Sequence, residues 1–211
     1  MSKGTDVDQS SVDPSTRNRA ATEKRLIKAA ISVFGDVGFQ AATVAEISKE
    51  ASANVALINR YFGGKQGLFD AVIDHIIVEK QTAPLPYPAG ATLEDEVRNY
   101  LLFRYTEDKR NSRLHRLILS EAIVNDEFKM RALSLLTYAA DTNFSARLET
   151  LIEDGKVSRD TNLRELFRMI SLFSFSAGFV EGELLELPAS ETETLIAEFA
   201  STIAARFASA R

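Results

Sequence analysis

The chain has 211 residues, of which 45% are hydrophobic, with 25 Lys or Arg, 30 Asp or Glu and no cysteine. This length suffices for a sizeable core, and the absence of cysteine excludes a disulfide framework, a thiolate metal site and a cysteine nucleophile. No apolar stretch reaches the ~18 residues of a membrane span, and the polar residues 1–16 lack the apolar core of a signal peptide. We expect a cytoplasmic protein without a membrane segment, whose residues 1–16 form a disordered arm.

Positive charge is concentrated near the N-terminus. Residues 17–65 contain eight Lys or Arg against four Asp or Glu, although the whole chain has a net charge of −5. A basic N-terminal quarter on an acidic remainder predicts that only this quarter contacts phosphate groups.

Helix-forming residues dominate and no run alternates apolar with polar residues, which predicts an all-α fold. The first helix should span 17–35, with Gly38 supplying a left-handed stop. The second should begin at Thr43, where Thr43 and Glu46 have the spacing of a capping box.

The remaining helices follow from caps and breaks in the sequence. Asn54 is a suitable cap for a third helix, and a fourth helix over 65–80 should connect two domains. The proline-rich segment 82–91 cannot continue that helix. Further helices are predicted over 92–109, 111–124, 126–154, 161–186 and 190–209, the last with a capping box formed by Ser190 and Glu193.

Two short helices joined by a tight turn have the layout of a helix-turn-helix, in which the second helix enters the major groove of DNA. Small side chains allow close approach, Asn can pair with adenine, and Arg can pair with guanine. Tyr61 and Lys65 should flank the groove as phosphate contacts. A cation is disfavoured at a helix N-terminus, so a phosphate would explain Lys65. The predicted outward face of the second helix carries Val55, Ala56, Asn59 and Arg60.

Residues 26–69, LIKAAISVFGDVGFQAATVAEISKEASANVALINRYFGGKQGLF, resemble the N-terminal domain of TetR/AcrR-family transcriptional regulators. The resemblance implies phosphate contacts at Thr43 and Lys65, a DNA backbone contact at Tyr61, and base-edge contacts near Asn54 and Ala56. It also implies a C-terminal domain for effector binding and dimerisation.

The sequence departs from the family pattern at two places. Ala51, Ser52 and Ala53 stand where the family usually has Ala-Gly-Val, so a residue other than glycine must occupy the turn. Asn59 stands where most members have a tyrosine that touches a phosphate. We interpret this second change as an altered DNA contact.

The predicted helix 161–186 is apolar on two sides, and such a helix must be buried on two sides. One side can pack within the chain and the other against a second copy in a four-helix bundle. A fully buried helix in a monomer is the alternative. The predicted dimer interface consists of Leu166, Ile170, Phe173, Ala177, Val180, Leu184, Ile196, Phe199, Ile203 and Phe207.

The composition of the C-terminal part favours a largely apolar effector. His115 is either a pocket residue or a residue at the edge of the core, and its surroundings offer no metal-binding motif. We expect no cofactor and no metal. The predicted pocket residues are Phe103, His115, Leu117, Ile118, Leu135, Tyr138, Phe144, Phe167 and Phe175.

These patterns lead to one hypothesis and one alternative. The hypothesis is a homodimeric transcriptional regulator that represses from a palindromic double-stranded DNA operator until a small effector releases it. No catalytic motif can be assigned, so we do not expect an enzyme. Its domains would be the arm 1–16, a helix-turn-helix domain 17–64 and a ligand-binding and dimerisation domain 65–211. The alternative is a helical small-molecule-binding or adaptor protein of the same fold that does not regulate DNA.

Overall fold

The computed structural model describes residues 14–126, 128–130 and 141–207. The helices α1 to α4 span Pro14–Ala41, Val44–Glu50, Val55–Phe62 and Lys65–Thr82. The helices α5 to α8 span Leu93–Arg110, Ser112–Val124, Thr142–Glu153 and Leu163–Phe175. A π-helical segment over Ser176–Leu184 continues α8, and α9 spans Ala189–Phe207. The all-α prediction is confirmed, while most of the predicted arm lies outside the described residues.

Helix α1 is interrupted at Gly38, as predicted. Gly38 has a φ of 79°, and a Cβ atom there would meet nothing within 4 Å. The backbone conformation, and not a lack of space, therefore favours glycine. The interruption turns Phe39 towards the core, where its ring centroid lies 5.5 Å from that of Phe34 and 4.7 Å from that of Phe69.

The predicted caps of α2 and α3 are both formed. The backbone N–H of Glu46 donates to the Thr43 hydroxyl at 3.2 Å, and the Thr43 N–H donates to the Glu46 carboxylate at 2.9 Å. The Ala56 N–H donates to Oδ1 of Asn54 at 2.8 Å. Between the two helices Ser52 adopts a φ of 49°, which costs a residue with a side chain about 1–2 kcal/mol and explains why glycine is usual at this turn.

Two hydrophobic cores organise the chain. The first joins α1 to α4 with part of α6, and its buried members include Leu26, Phe34, Ile47, Ile58, Phe69 and Leu117. The second surrounds α5, and its buried members include Val97, Leu101, Phe144, Phe167, Ile170 and Ile196. Helix α6 thus supplies apolar side chains to the core of the N-terminal domain.

The boundaries of four predicted helices are wrong, the first because α1 begins at Pro14, within the predicted arm. The helix predicted over 126–154 is broken at Asp141, whose carboxylate accepts the Phe144 N–H at 2.9 Å and so caps α7. The helix predicted over 161–186 begins at Leu163 and becomes π-helical at Ser176. The last helix begins at Ala189, so Ser190 lies inside it and the predicted capping box is not formed.

Candidate nucleic-acid interface and effector cavity

Helix α3 presents one face to its own core and another to solvent. Ile58 is fully buried, whereas the side chains predicted to meet DNA are exposed, namely Val55, Ala56, Asn59 and Arg60. The cap residue Asn54 is exposed beside them. The structure therefore brings the predicted base-reading residues together on one accessible helix face.

Tyr61 lies between two guanidinium groups. Cζ of Arg19 is 5.0 Å from the centroid of the Tyr61 ring, and Cζ of Arg60 is 6.0 Å from it. Arg19 also forms an exposed ion pair with Glu23 at 2.8 Å. Arg19 was not among the predicted DNA contacts, because a contact between α1 and α3 leaves no periodic signal in the sequence. The only sign of a DNA contact at Arg19 in the sequence is the excess of basic residues after position 16.

The single proton of the Thr43 hydroxyl group is used within the capping box. It donates to the Glu46 carboxylate at 2.8 Å and accepts the Glu46 N–H. Hydrogen bonds from the side chain and then the backbone of Thr43 hold the pKa of Glu46 below its ordinary value. A phosphate contact through this hydroxyl would have to replace a hydrogen bond to a carboxylate, and it stays a prediction.

Lys65 has partners within the protein. Its Nζ donates to the carbonyl oxygens of Phe39, Gln40 and Ala42 at 3.0, 3.1 and 3.0 Å. An ammonium group has three protons, and three acceptors use them all. The carbonyl groups at the end of α1, and not a phosphate, therefore explain a cation at the start of α4. A phosphate contact through the Lys65 ammonium group would have to replace one of these hydrogen bonds, and it stays a prediction.

A cavity of about 460 Å³ lies between α1, α4, α5, α6 and α8. Four of the predicted pocket residues line it, namely Phe103, His115, Ile118 and Phe175. Ile31 of α1 and Ile76 of α4 also line it, so the cavity reaches the N-terminal domain.

The other predicted pocket residues do not contribute to the lining that the structure describes. Leu117 faces the core of the N-terminal domain, while Phe144 and Phe167 are buried in the second core. Their apolar character was a correct sign of burial, but composition does not distinguish a core from a cavity wall. Leu135 and Tyr138 lie outside the described residues.

One wall of the cavity carries buried charged groups that the sequence predictions missed. The Arg104 guanidinium forms an ion pair with the Asp108 carboxylate. Nε2 of His115 lies 3.7 Å from the same carboxylate, and the Ser174 hydroxyl donates to it at 3.5 Å. Burial lowers the pKa of Arg104, but the negative charge of Asp108 and its neighbours outweighs burial, and the pKa lies above its ordinary value. One wall of the cavity is therefore charged. The other walls are largely apolar, as predicted.

Asp141 and Tyr100 complete this wall. Burial raises the pKa of Tyr100, so its phenol stays protonated and forms a hydrogen bond with the Asp141 carboxylate. The Tyr100 ring stacks on Phe144, with 3.8 Å between ring centroids. Asp141 was predicted to lie inside a helix. It lies instead directly before the first residue of α7, and this position brings its carboxylate to the cavity.

Comparison with known proteins identifies the N-terminal domain. Residues 26–72 match the model of the family described as bacterial regulatory proteins, tetR family. The N-terminal domain of the chain is therefore similar to that of TetR-family regulators. The HTH-type transcriptional regulator BetI of Vibrio campbellii is 45% identical over 53 residues, which cover 25% of this chain and 27% of that protein. The chain thus spans only about a quarter of the length of this relative.

Longer similarities extend to the rest of the chain. The probable HTH-type transcriptional regulator YttP of Bacillus subtilis is 28% identical over 151 residues, covering 67% of this chain and 68% of that protein. A TetR-family structure from Rhodococcus sp. has a TM-score of 0.71 at 12% identity and covers 87% of this chain and 98% of its own. GusR of Salmonella enterica has a TM-score of 0.68 at 16% identity, covering 91% and 97%. The structures show a shared fold.

The structure buries half of the predicted dimer interface within the chain itself. Five of its residues are buried within the chain, namely Leu166, Ile170, Ala177, Ile196 and Ile203. Phe173 and Phe199 stack on each other with 4.0 Å between ring centroids, Val180 and Phe207 are half-buried, and Leu184 is exposed. The predicted stripe is thus mainly the side that packs on the chain's own core.

Large apolar side chains are also exposed on α8 and on α9. The exposed fractions are 44% for Met169, 53% for Leu172 and 44% for Leu195.

In the part of the chain that the structure describes, no helix is long and apolar enough to cross a membrane.

Proposed function

We propose that the chain is a sequence-specific, DNA-binding transcriptional regulator. The observation that carries this proposal is the exposed face of α3, with Asn59 and Arg60 beside the small residues Val55 and Ala56. Similarity to BetI and YttP supports it, since these relatives are named transcriptional regulators. NicS of Pseudomonas putida, 40% identical over 55 residues, is named a transcriptional repressor, which favours repression here.

The proposed roles on DNA follow from side-chain chemistry. Asn59 and Arg60 would read base edges in the major groove, where an amide pairs with adenine and a guanidinium with guanine. Arg19 and Tyr61 would contact phosphates and fix the register of the helix. Asn54 keeps its Nδ2 donor for DNA, because only its Oδ1 is used by the Ala56 N–H.

Helix α6 is the proposed link between the cavity and DNA. Its residues Leu114, His115 and Ile118 line the cavity, while Leu117 packs in the core of the N-terminal domain. A ligand that displaces α6 would therefore also displace the N-terminal domain. By linkage, an effector that weakens DNA binding must itself bind less tightly to the DNA-bound protein.

Close packing of α6 on α1 strengthens this link. A Cβ atom on Gly35 would lie 2.9 Å from Cβ of Arg113, so the two helices approach more closely here than a side chain on Gly35 would allow. Arg113 also pairs with Asp36 of α1 at 2.8 Å. Movement of α6 would therefore displace α1 directly.

A second copy of the chain is the proposed partner of the exposed face formed by Met169, Leu172 and Leu195. Two copies joined through α8 and α9 would form a four-helix bundle, as TetR-family dimers typically do. A two-fold dimer would present two copies of α3 to successive major grooves and so read a palindrome.

Selection from random duplex DNA at two salt concentrations tests the proposed function. We expect enrichment of a palindromic site whose affinity falls steeply with salt, because phosphate contacts release counterions. The double variant Asn59→Ala, Arg60→Ala should lose the enrichment. Arg159→Ala, which removes an exposed basic side chain from the body, is the matched control and should keep it.

Failure of the parent protein to enrich any sequence at either salt concentration, with and without an added extract of cellular metabolites, would refute the regulator. A double variant that enriches the same site as the parent would refute the assignment of the α3 face.

A further inference from the structure

We propose that the cavity binds an amphipathic organic cation, with a protonated nitrogen at the Asp108 and Asp141 carboxylates and an apolar body along the remaining walls. The proposal rests on the proposed function only in taking the cavity as the effector site. The composition of the sequence favours a largely apolar effector. The proposal adds a cationic head group to this effector, because the wall with Asp108 and Asp141 would recognise a cation.

The first argument is the charge of the buried wall. Among the described residues that line the cavity, four are acidic and two are basic. The Glu79 side chain is 70% exposed and is screened by water. Glu107 pairs with Arg110 at 2.7 Å, and Lys129 pairs with Asp126 on the surface. At the buried wall, the guanidinium group of Arg104 is the cation that the structure describes. It interacts with two carboxylates, those of Asp108 and Asp141.

An uncompensated buried charge is costly, and a cation from outside would compensate it. Asp108 already satisfies Arg104 through an ion pair. The second carboxylate, Asp141, accepts hydrogen bonds from the Phe144 N–H and the Tyr100 phenol, which are neutral donors. A carboxylate has about four acceptor positions, so both acids keep acceptor capacity for a ligand N–H group.

The second argument is that the Asp108 carboxylate is held in place. Gly178 of the π-helical segment lies so close that a Cβ atom there would be 2.6 Å from Cβ of Asp108. Ser174 and His115 approach the carboxylate from two other sides. An acceptor that is fixed before binding does not have to be ordered by the ligand. A π-helical turn at this point agrees with the frequent occurrence of such turns at functional sites.

The third argument is the remaining surface of the cavity. It is built from aliphatic and aromatic side chains, namely Ile31, Ile76, Phe103, Leu114, Ile118 and Phe175. These groups would cover an apolar ligand body, and the aromatic faces also attract a cation. A volume of about 460 Å³ is within the usual range for small-molecule sites.

An anionic ligand fits the same wall poorly. Arg104 is the group that would receive it, but the positive charge of Arg104 is already paired with Asp108. The anion would also approach Asp141, and like charges at short distance repel. The wall therefore discriminates by charge and not by shape alone.

Three compounds with the same chain and different head groups test the proposal: n-octylammonium, n-octanol and n-octanoate. Isothermal titration calorimetry of the full chain at pH 7 without DNA measures each dissociation constant. We expect octylammonium to bind at least about tenfold more tightly than octanol, and octanoate to bind most weakly, because a hydrogen-bonded charge pair in a partly buried site contributes that much.

Two variants locate the head group. Asp108→Asn and Asp141→Asn should each reduce the preference for octylammonium over octanol, since each removes one negative charge while keeping the shape. Glu79→Gln, which neutralises an exposed acid on the same cavity, is the matched control and should leave the preference unchanged.

Equal binding of the three compounds, tighter binding of octanoate, or no binding of any of them would overturn the proposal. The order of the three dissociation constants on the parent protein tests the proposal even if a variant fails to fold. A chain that ranks the compounds as expected but selects no DNA sequence would keep this inference and refute the regulator. The reverse result would refute the ligand class alone.

Discussion

The ammonium group of Lys65 links α4 to the end of α1 in the N-terminal domain. It belongs to the first turn of α4 and binds carbonyl groups 23 to 26 residues earlier, at the end of α1. Its Nζ also lies 4.7 Å from the centroid of the Phe39 ring. The sequence predicted a DNA phosphate as the partner of this cation at a helix N-terminus. It could not predict that these acceptors belong to the protein, because they come together only when Gly38 turns the chain.

Replacing Lys65 by Met should therefore affect stability more than DNA binding. The variant leaves three carbonyl groups without their charged donor, and we expect the free energy of unfolding to fall by about 1–3 kcal/mol in urea denaturation. Lys49→Met, at an exposed position of α2, should change it by less than about 0.5 kcal/mol. A Lys65→Met protein of full stability whose DNA binding loses about one unit of salt slope would show instead that Lys65 contacts phosphate.

Arg60 and Arg19 flank one tyrosine but should act differently on DNA. Arg60→Ala should relax the preference at one base pair by about 1–3 kcal/mol, because Arg60 lies on the face that reads bases. Arg19→Ala should weaken binding to all sequences alike and reduce the salt slope by about one unit, as expected for a phosphate contact. Binding titrations on the selected site and on single-base variants, at several salt concentrations, separate the two effects. Equal effects of both variants on all sequences would contradict a base contact by Arg60.

At the scale of elements, the sequence predicted where most helices lie but not what each face contacts. Helix α6 was predicted over 111–124 and spans Ser112–Val124. Its apolar residues Leu117 and Ile118 were both assigned to the pocket, yet adjacent positions on a helix point about 100° apart. Leu117 is consequently buried in the first core, whereas Ile118 packs at the edge of that core and lines the cavity. The partner of each face is a property of the tertiary fold.

Glu121 of α6 gives this contact between domains a pH dependence. The residue is buried, which raises its pKa above the ordinary value, and the positive charge of Lys65 opposes this effect only in part. A carboxyl group whose pKa is raised on folding stabilises the folded state below its unfolded pKa of about 4.3. This stabilisation is lost as pH rises through the folded pKa.

Glu121→Gln should therefore raise the free energy of unfolding of the protein at pH 7 relative to the parent. The gain should shrink as pH falls to about 4, because the parent carboxyl group is then protonated as well. Urea denaturation of both proteins at the two pH values measures the difference. Glu153→Gln, at an exposed position of α7, should show no such change with pH. A Glu121→Gln difference that is independent of pH would contradict the raised pKa.

The π-helical segment could not be predicted from the sequence. The apolar pattern of residues 161–186 fits one long helix, and the structure keeps the chain helical from Leu163 to Leu184 while changing its pitch at Ser176. The change brings Gly178 and Gly182 against Asp108 and Lys109 of α5. In the sequence both glycines indicate only weak helix formation, whereas in the fold they permit the closest approach to α5.

At the scale of the whole molecule, the sequence predicted that α8 is apolar on two sides but assigned the dimer contact to the side that packs on the body. Both sides carry large apolar residues, so hydrophobicity alone does not say which one packs on α5. The side with Leu166 and Ile170 is fully buried in the chain, whereas Met169 and Leu172 are exposed. A second copy was proposed from the sequence, and the packing of α8 on the body moves its proposed contact to the exposed side.

Leu172→Glu should weaken the proposed dimer, because it places a charge at the centre of an apolar contact that must lose water. We expect the dissociation constant of the dimer to rise by at least about tenfold, measured by sedimentation velocity over a range of protein concentrations. Val78→Glu is the matched control, since Val78 is 55% exposed on α4, and it should leave the constant unchanged.

Dimerisation and DNA binding are coupled in the proposed regulator, so the same variant makes a second observable change. A palindromic site bound by two linked α3 helices gains from both half-sites, whereas a monomer binds one half-site at a time. Leu172→Glu should therefore lose affinity for the palindrome while keeping its weak affinity for an isolated half-site. A parent protein that is monomeric at all concentrations, or a Leu172→Glu protein that dimerises and binds the palindrome like the parent, would show that this face of α8 has another use.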